Sequence, residues 1–208
     1  MMEYDKDKKE IRIKKILNEL DKFVIDFLEI LTDFSDYVIV SGYVSILLGR
    51  TRASEDIDLL VPKVNKEKFI ELWNALHFKG FECLNTSNIE EAFSMLNEHA
   101  IRFAKELPIP NIEFKQIKTE FDNHSFKNRL KVILDNNILY ISPLEAQISY
   151  KLFLGSEKDI EDAKHLYDTF KEKLNKEELF NFINKFKVKD KFDLMEEYGD
   201  KYKYRKIE

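Results

Sequence analysis

Two carboxylates one residue apart, Asp56 and Asp58, sit in the otherwise apolar run Ile57, Leu59, Leu60, Val61. Side chains of a strand alternate between faces, so the two acids project together while Ile57 and Leu59 point the other way. Like charges held that close on an apolar strand are costly unless a cation neutralises them. Mg²⁺ takes oxygen ligands from one or two carboxylates and completes its shell with water and substrate phosphates. Such a pair suits phosphoryl or nucleotidyl transfer. Upstream, Ser41-Gly42 follows the β-branched run Tyr37-Val38-Ile39-Val40. A strand-to-helix turn there could offer backbone N–H groups and a hydroxyl to triphosphate oxygens, with the glycine admitting close approach. Alone, Asp-x-Asp is usually a solvated strand face and Ser-Gly a plain turn. The order strand, Ser-Gly, helix, Gly49, Arg52, Asp-x-Asp is what points to a site.

The elements that must position these groups follow from periodicity and punctuation. Ile13, Ile16, Leu17, Leu20, Val24, Phe27, Leu28 and Leu31 recur at three- and four-residue steps, predicting one long amphipathic helix from about Lys8 to Leu31. Strands are expected at Tyr37–Val40 and Asp56–Val61, with a helix from Tyr43 to Leu48 ended by Gly49. Asn65 is placed to cap a helix through about His77 that Gly80 ends, and Ser87 with Glu90 forms a capping box for a helix to about Asn97. Further strands are expected at Ile101–Ala104, Asn111–Ile117, Lys131–Leu134 and Ile138–Ile141, the last two joined by a hairpin turn at Asp135-Asn136-Asn137. From Pro143 onward the pattern is helical, with capping boxes at Ser142/Glu145 and Asn175/Glu178. The charged tail from Lys185, with Tyr202 and Tyr204, is expected to be partly mobile. This is an α/β (α+β) chain: a mixed sheet flanked by helices, then a helical C-terminal third.

The segment Ser41–Val61 resembles the signature of the DNA polymerase beta superfamily of nucleotidyltransferases: a strand ending in Gly-Gly or Gly-Ser, a helix, then Asp-x-Asp on the next strand. It is most similar to the branch holding abortive-infection type IV toxins and relatives of the antibiotic nucleotidyltransferases. Gly42, Gly49, Arg52, Ser54, Asp56 and Asp58 fall in register with that pattern. Ser41 replaces the first glycine, and Ser54 stands where threonine is usual. Downstream, Ser142-Pro143-Leu144-Glu145 through Ile148 to Lys151, then Lys158-Asp159 and Asp162, resembles the same branch's second segment, with Leu144 inserted. The resemblance spans about Val38 to Leu166.

The resemblance implies a third carboxylate on a neighbouring strand. Glu113 is the candidate, with Glu106 and Asp122 as competitors. It further implies a helix lysine and a following aspartate at the site, here Lys151 with Asp159 or Asp162. Local structure offers a plainer role for some of these, since Ser156 looks like an N-cap with Asp159 in the reciprocal position. The catalytic set expected is Asp56, Asp58, Glu113 and Lys151, the first three holding Mg²⁺. Ser41, Gly42, Arg52, Ser54, Lys151, Asp159 and Asp162 are expected around the nucleotide. The implied activity moves a nucleoside monophosphate from a nucleoside triphosphate (ATP among the candidates) to an acceptor hydroxyl on a tRNA end, a protein or a small molecule. A toxin with an antitoxin partner is implied by the family alone. The alternative is a non-catalytic nucleotide-binding or protein-interaction module of the same fold. Residues 1–141 would form the catalytic domain and 142–208 a helical region completing the site.

Composition agrees with this reading without deciding it. The 208 residues are 44% hydrophobic and 13% aromatic, as in a globular domain, and the net charge of −5 is not that of a nucleic-acid coat protein. A single cysteine, Cys83, excludes an internal disulfide framework and reads as a small core residue in a reducing, cytoplasmic setting. The four histidines (His77, His99, His124, His165) lack metal-ligand spacing. Signal peptide, membrane span and Gly-rich nucleotide loops are not expected.

Overall fold

The computed structural model describes residues 2–203, with side chains as far as residue 197. The chain opens on a hairpin, β1 (Met2–Asp5) and β2 (Glu10–Ile13), in place of the first turns of the expected long helix. Ile11 and Ile13 are buried on either side of an exposed Arg12, a period of two, whereas Ile16 is 96% exposed. The helix begins only at Glu19, where Asn18 and Asp21 form a reciprocal capping box, and runs as α1 (Glu19–Leu31).

Next come β3 (Val38–Val40), the short α2 (Gly42–Leu47), β4 (Asp56–Val61) and α3 (Lys66–Phe78), the last capped by Asn65. β5 (Phe81–Cys83), not expected from the sequence, leaves Cys83 half-buried beside the core rather than inside it. α4 (Ile89–Glu98) is capped by Asn88, whose side chain accepts from the N–H groups of Glu90 and Glu91, so the Ser87/Glu90 box does not form. β6 (Ile101–Lys105) and β7 (Leu107–Gln116) lead to α5 (Glu120–Lys127), also unexpected, which Thr119 and Asp122 cap reciprocally. β8 (Leu130–Leu134) and β9 (Asn137–Ile141) form the expected hairpin, with Asp135 at φ +55° in its tight turn.

Helices α6 (Leu144–Leu154), α7 (Glu157–Phe170), α8 (Lys176–Phe186) and α9 (Lys189–Lys203) complete the described chain. Ser142 does not cap α6. Its hydroxyl donates to Gln147 instead, and Glu145 reaches across to accept the Asn175 N–H at 2.6 Å. Asn175 caps α8, while the Glu178 carboxylate meets His124 rather than closing a box. The tail from Lys185 continues through the end of α8 into α9; Tyr204 and the side chain of Tyr202 lie outside the described residues.

The strands form one mixed sheet in the order β1-β2-β8-β9-β3-β4-β7-β6-β5. β4 runs antiparallel to β3 and parallel to β7, in a register that sets Asp58 opposite Glu113 and Asp56 opposite Asn111. On these strands Ile57, Leu59, Ile112 and Phe114 are fully buried, and Phe114 joins a ring cluster with Phe27 of α1 and Phe103 of β6. Burying each such side chain contributes about 1.5–3 kcal/mol. That investment fixes which face the alternate residues Asp56, Asp58, Glu113 and Lys115 must occupy. α1 is tied to α2 by Asp21, fully buried, which accepts hydrogen bonds from Tyr43 Oη at 2.9 Å and Lys15 Nζ at 2.8 Å. Among the described residues no helix is long and apolar enough to cross a membrane.

Candidate active site

Asp56, Asp58 and Glu113 come together on the polar face of β4 and β7, each offering an oxygen within 4.8 Å of the others'. Strand alternation puts Asp56 beside Asp58, and the β4–β7 register brings Glu113 alongside Asp58. The competing acids do not join the cluster: Asp122 lines the same cavity but is occupied as the α5 cap, and Glu106 sits exposed at φ +63° in the β6–β7 turn. Burial raises the Glu113 carboxyl above its ordinary range; Lys115 draws it down, and the neighbouring Asp58 pushes it up again. All three donors are hard carboxylate oxygens, the set that Mg²⁺ accepts.

Two cations already attend this cluster. Lys115 Nζ lies 2.7 Å from Asp58 Oδ1 and 3.3 Å from Glu113 Oε2, and Arg102 of β6 lies 3.3 Å from the other Glu113 oxygen. Burial alone would lower the Lys115 pKa, but the two carboxylates outweigh it and hold the ammonium above its usual value. The sequence reading missed Lys115. Its signal is its position two residues after Glu113, on the same strand face.

The Ser41-Gly42 turn faces the same cavity, a space of about 620 Å³ that β3, β4, α5, α6 and α7 line together. Ser41 adopts φ +62°, ψ −133°, a conformation that glycine takes freely and other residues rarely do. Gln147 of α6 holds it there. The Ser41 N–H donates to Gln147 Oε1 at 3.1 Å, and Gln147 Nε2 donates back to the Ser41 carbonyl at 2.5 Å. Gly42 is small for a different reason: a Cβ there would lie 2.7 Å from Arg52 Nη2 and 3.4 Å from Ser54 Oγ. The Arg52 guanidinium therefore crosses directly over the glycine. Ser54 secures the approach to β4 by donating to the Asp56 carbonyl at 2.9 Å.

Arg52, Lys151, Asp159 and Asp162 form one buried network. Asp162, fully buried, accepts a bidentate pair from Arg52 at 2.9 and 2.7 Å and lies 3.1 Å from Lys151 Nζ. Arg50, a residue the sequence reading passed over, adds its Nε at 2.8 Å, off the hydrogen-bond axis, and pairs with Glu161 outside. Lys151 donates to Asp159 Oδ1 at 2.7 Å, and Asp159 also closes the Ser156 cap. Burial would raise the Asp159 carboxyl, but its bonds to Lys151 and Ser156 hold it below the usual range. Asp162 touches protein cations on every side. It fixes Arg52 and Lys151, and with them the β3–β4 connection, against α6 and α7.

Solved structures share this architecture. An antigenic nucleotidyltransferase-like protein from Paracoccidioides brasiliensis superposes with a TM-score of 0.51 at 16% identity, over 81% of this chain and 92% of its own. The antibiotic-resistance factor ANT(2'')-Ia superposes with a TM-score of 0.55 at 14% identity, over 86% of this chain and 96% of its own. The chain has a nucleotidyltransferase fold. No protein-family model and no curated protein sequence matches it. Within the nucleotidyltransferase fold, Asp56 and Asp58 of the carboxylate triad and the Ser41 turn line one cavity with residues of the helical region from residue 142.

Proposed function

We propose that this protein is a Mg²⁺-dependent nucleotidyltransferase that moves a nucleoside monophosphate from a nucleoside triphosphate to an acceptor hydroxyl. The observation that carries this reading is a cluster of three carboxylates, two of which, Asp56 and Asp58, line one cavity of about 620 Å³ with a strained serine–glycine turn. In this reading Asp56, Asp58 and Glu113 hold the divalent cation, which supplies charge neutralisation at the transferring phosphorus and the leaving pyrophosphate. Ser41 and Gly42 bind triphosphate oxygens, with Gln147 bracing the turn and Ser54 the approach to β4. Arg52 and Lys151 provide counter-charge, oriented by Asp159 and Asp162. The acceptor oxygen attacks the α-phosphorus in line, the bond to the bridging oxygen breaks, pyrophosphate leaves with that electron pair, and the acceptor proton passes to Glu113. The catalytic domain runs to residue 141, and the helical part from residue 142 onward completes the site.

The fold relationship to ANT(2'')-Ia, an antibiotic-resistance factor, keeps a small-molecule hydroxyl among the acceptors, beside RNA ends and protein hydroxyls. Calorimetric titration of ATP, GTP, CTP and UTP with Mg²⁺ into wild type and Asp56→Asn/Asp58→Asn tests the reading. Metal-dependent binding of at least one triphosphate, abolished in the double variant with the fold intact, is expected. Equal binding by both proteins sinks the carboxylate assignment. A toxin role with a cognate antitoxin, which the family resemblance implies, adds that expression of wild type but not Asp58→Asn arrests host growth.

A further inference from the structure

Part of the cavity wall is not used by the phosphate chemistry. Besides the Ser41 turn and Lys151 it is lined by Phe121 of α5, Tyr150 and Leu154 of α6, and Ser125. Phe121 and Tyr150 are stacked, with centroids 5.3 Å apart and planes 28° from parallel, and Tyr150 stacks in turn on Phe153 at 6.0 Å and 28°. The three rings make a column with Tyr150 in the middle. Phe186 of α8 backs the whole column, 5.0 Å from Phe121, 6.0 Å from Tyr150 and 5.2 Å from Phe153, and Phe182 meets Phe121 edge-on at 5.6 Å. Phe153 ends the column in solvent at 51% exposure, so Phe121 is the end that lines the cavity. Ser125, one turn along α5 from Phe121, is 1% exposed and also lines the cavity.

We propose that Phe121 and Ser125 form the base subsite: the heteroaromatic base of the nucleoside triphosphate stacks on Phe121, and the Ser125 hydroxyl bonds the edge of that base. A column already packed by Phe182 and Phe186 presents a rigid aromatic face that needs no ordering on binding. Tyr150 is adjacent in sequence to Lys151, which places the stack beside the counter-charge assigned to the triphosphate. Stacking of a base on an aromatic side chain is sequence-tolerant, so the serine hydroxyl is the group that discriminates among bases. The inference rests on the nucleotidyltransferase reading above and goes further by placing the base rather than the phosphates.

The test titrates Mg²⁺ complexes of the four nucleoside triphosphates and of inorganic tripolyphosphate into wild type, Phe121→Leu, Phe121→Tyr and Ser125→Ala. Wild type is expected to bind its preferred triphosphate more tightly than tripolyphosphate. Phe121→Leu should lose about tenfold in nucleotide affinity, within the range measured for stacked bases, and leave tripolyphosphate binding unchanged. Phe121→Tyr, which keeps the ring, should retain wild-type affinity. Ser125→Ala, a smaller change that leaves the column alone, should narrow the preference among the four bases several-fold. Equal affinity of wild type for nucleotide and tripolyphosphate would place the base outside this subsite and overturn the proposal while leaving the transferase reading standing. Unchanged nucleotide binding in both Phe121→Leu and Ser125→Ala would overturn it too. Failure of wild type to bind either ligand removes the transferase reading, and the base subsite with it.

Discussion

Gln147 grips Ser41 by both of its backbone groups, accepting from the N–H at 3.1 Å and donating to the carbonyl at 2.5 Å, while it also accepts from the Ser142 hydroxyl at 2.9 Å. One side chain of the C-terminal helical region thus sets the backbone of the turn that faces the carboxylates. Gln147→Leu keeps the bulk and removes every one of these bonds. It should cost about 1–3 kcal/mol of stability, the penalty for leaving buried polar groups unpaired. Triphosphate binding should weaken by more than that loss of stability explains. Urea unfolding and calorimetry on the same preparation separate the two, and full nucleotide affinity in a destabilised variant would show that the strap is structural only.

Ser41 itself carries strain that glycine would not. Holding a residue in a sparsely populated backbone region costs on the order of 1–3 kcal/mol, against about 0.5–1 kcal/mol for the extra unfolded-state freedom of glycine. Ser41→Gly should therefore raise stability by about 1 kcal/mol by this difference. Ser41→Ala should not, because alanine keeps the Cβ. Both lose the hydroxyl, so both should bind triphosphate less tightly than wild type. A Ser41→Gly protein no more stable than the alanine variant would show that the turn is relaxed as it stands.

The parts of the fold that could be read from the sequence are those whose signal is local. Asp56–Val61 alternates acid and apolar residue through Leu59 and ends in an apolar run before Pro62, and the strand lies where the pattern predicts it. Asn65 and Gly80 bracket α3 as expected. The N-terminal hairpin was illegible because Ile13, Ile16 and Leu20 also fit helical spacing, and the capping box at Asn18 and Asp21 was the signal that should have moved the helix start. α5 is polar over most of its length, so only its Thr119/Asp122 cap announces it. At the site, Asp56 and Asp58 share a face by strand geometry alone. The partnership of Lys115 with Asp58 needs the β4–β7 register, and that of Arg52 with Asp162 spans 110 residues of sequence. No window of sequence contains those distances.

Lys115 occupies the carboxylate cluster as a tethered cation, 2.7 Å from Asp58 and 3.3 Å from Glu113. A divalent ion binding there competes with its ammonium for the same oxygens. Lys115→Gln should therefore bind Mn²⁺ more tightly, roughly threefold to tenfold, since a partly solvated ion pair is worth on the order of 1 kcal/mol. The same variant should melt at a lower temperature in EDTA, where three acids are left with less compensating charge, and recover when Mn²⁺ is added. Calorimetric titration with Mn²⁺ and thermal melts with and without chelator make the comparison. Weaker metal binding in the variant would assign Lys115 to holding the carboxylates in place rather than competing for them.

Glu145 gives the fold a pH dependence remote from the carboxylate cluster. Burial raises its carboxyl above the ordinary glutamate range, and the hydrogen bond from the Asn175 N–H draws it only part of the way back. The native state thus holds this proton more tightly than the unfolded chain does. As pH rises from the ordinary glutamate value of about 4.3 through the raised native one, the folded state must give up a proton it binds better. Stability from this group falls across that window and is level above it. Glu145→Gln keeps an oxygen for the Asn175 N–H and carries no charge, so its stability should match wild type on the acid side of the window and exceed it at neutral pH. Urea unfolding of both proteins from pH 4 to pH 7 reads the difference directly. Parallel curves across that range would mean that water or a rearranged α6–α8 contact solvates the ionised carboxylate, and that its burial costs the folded state nothing.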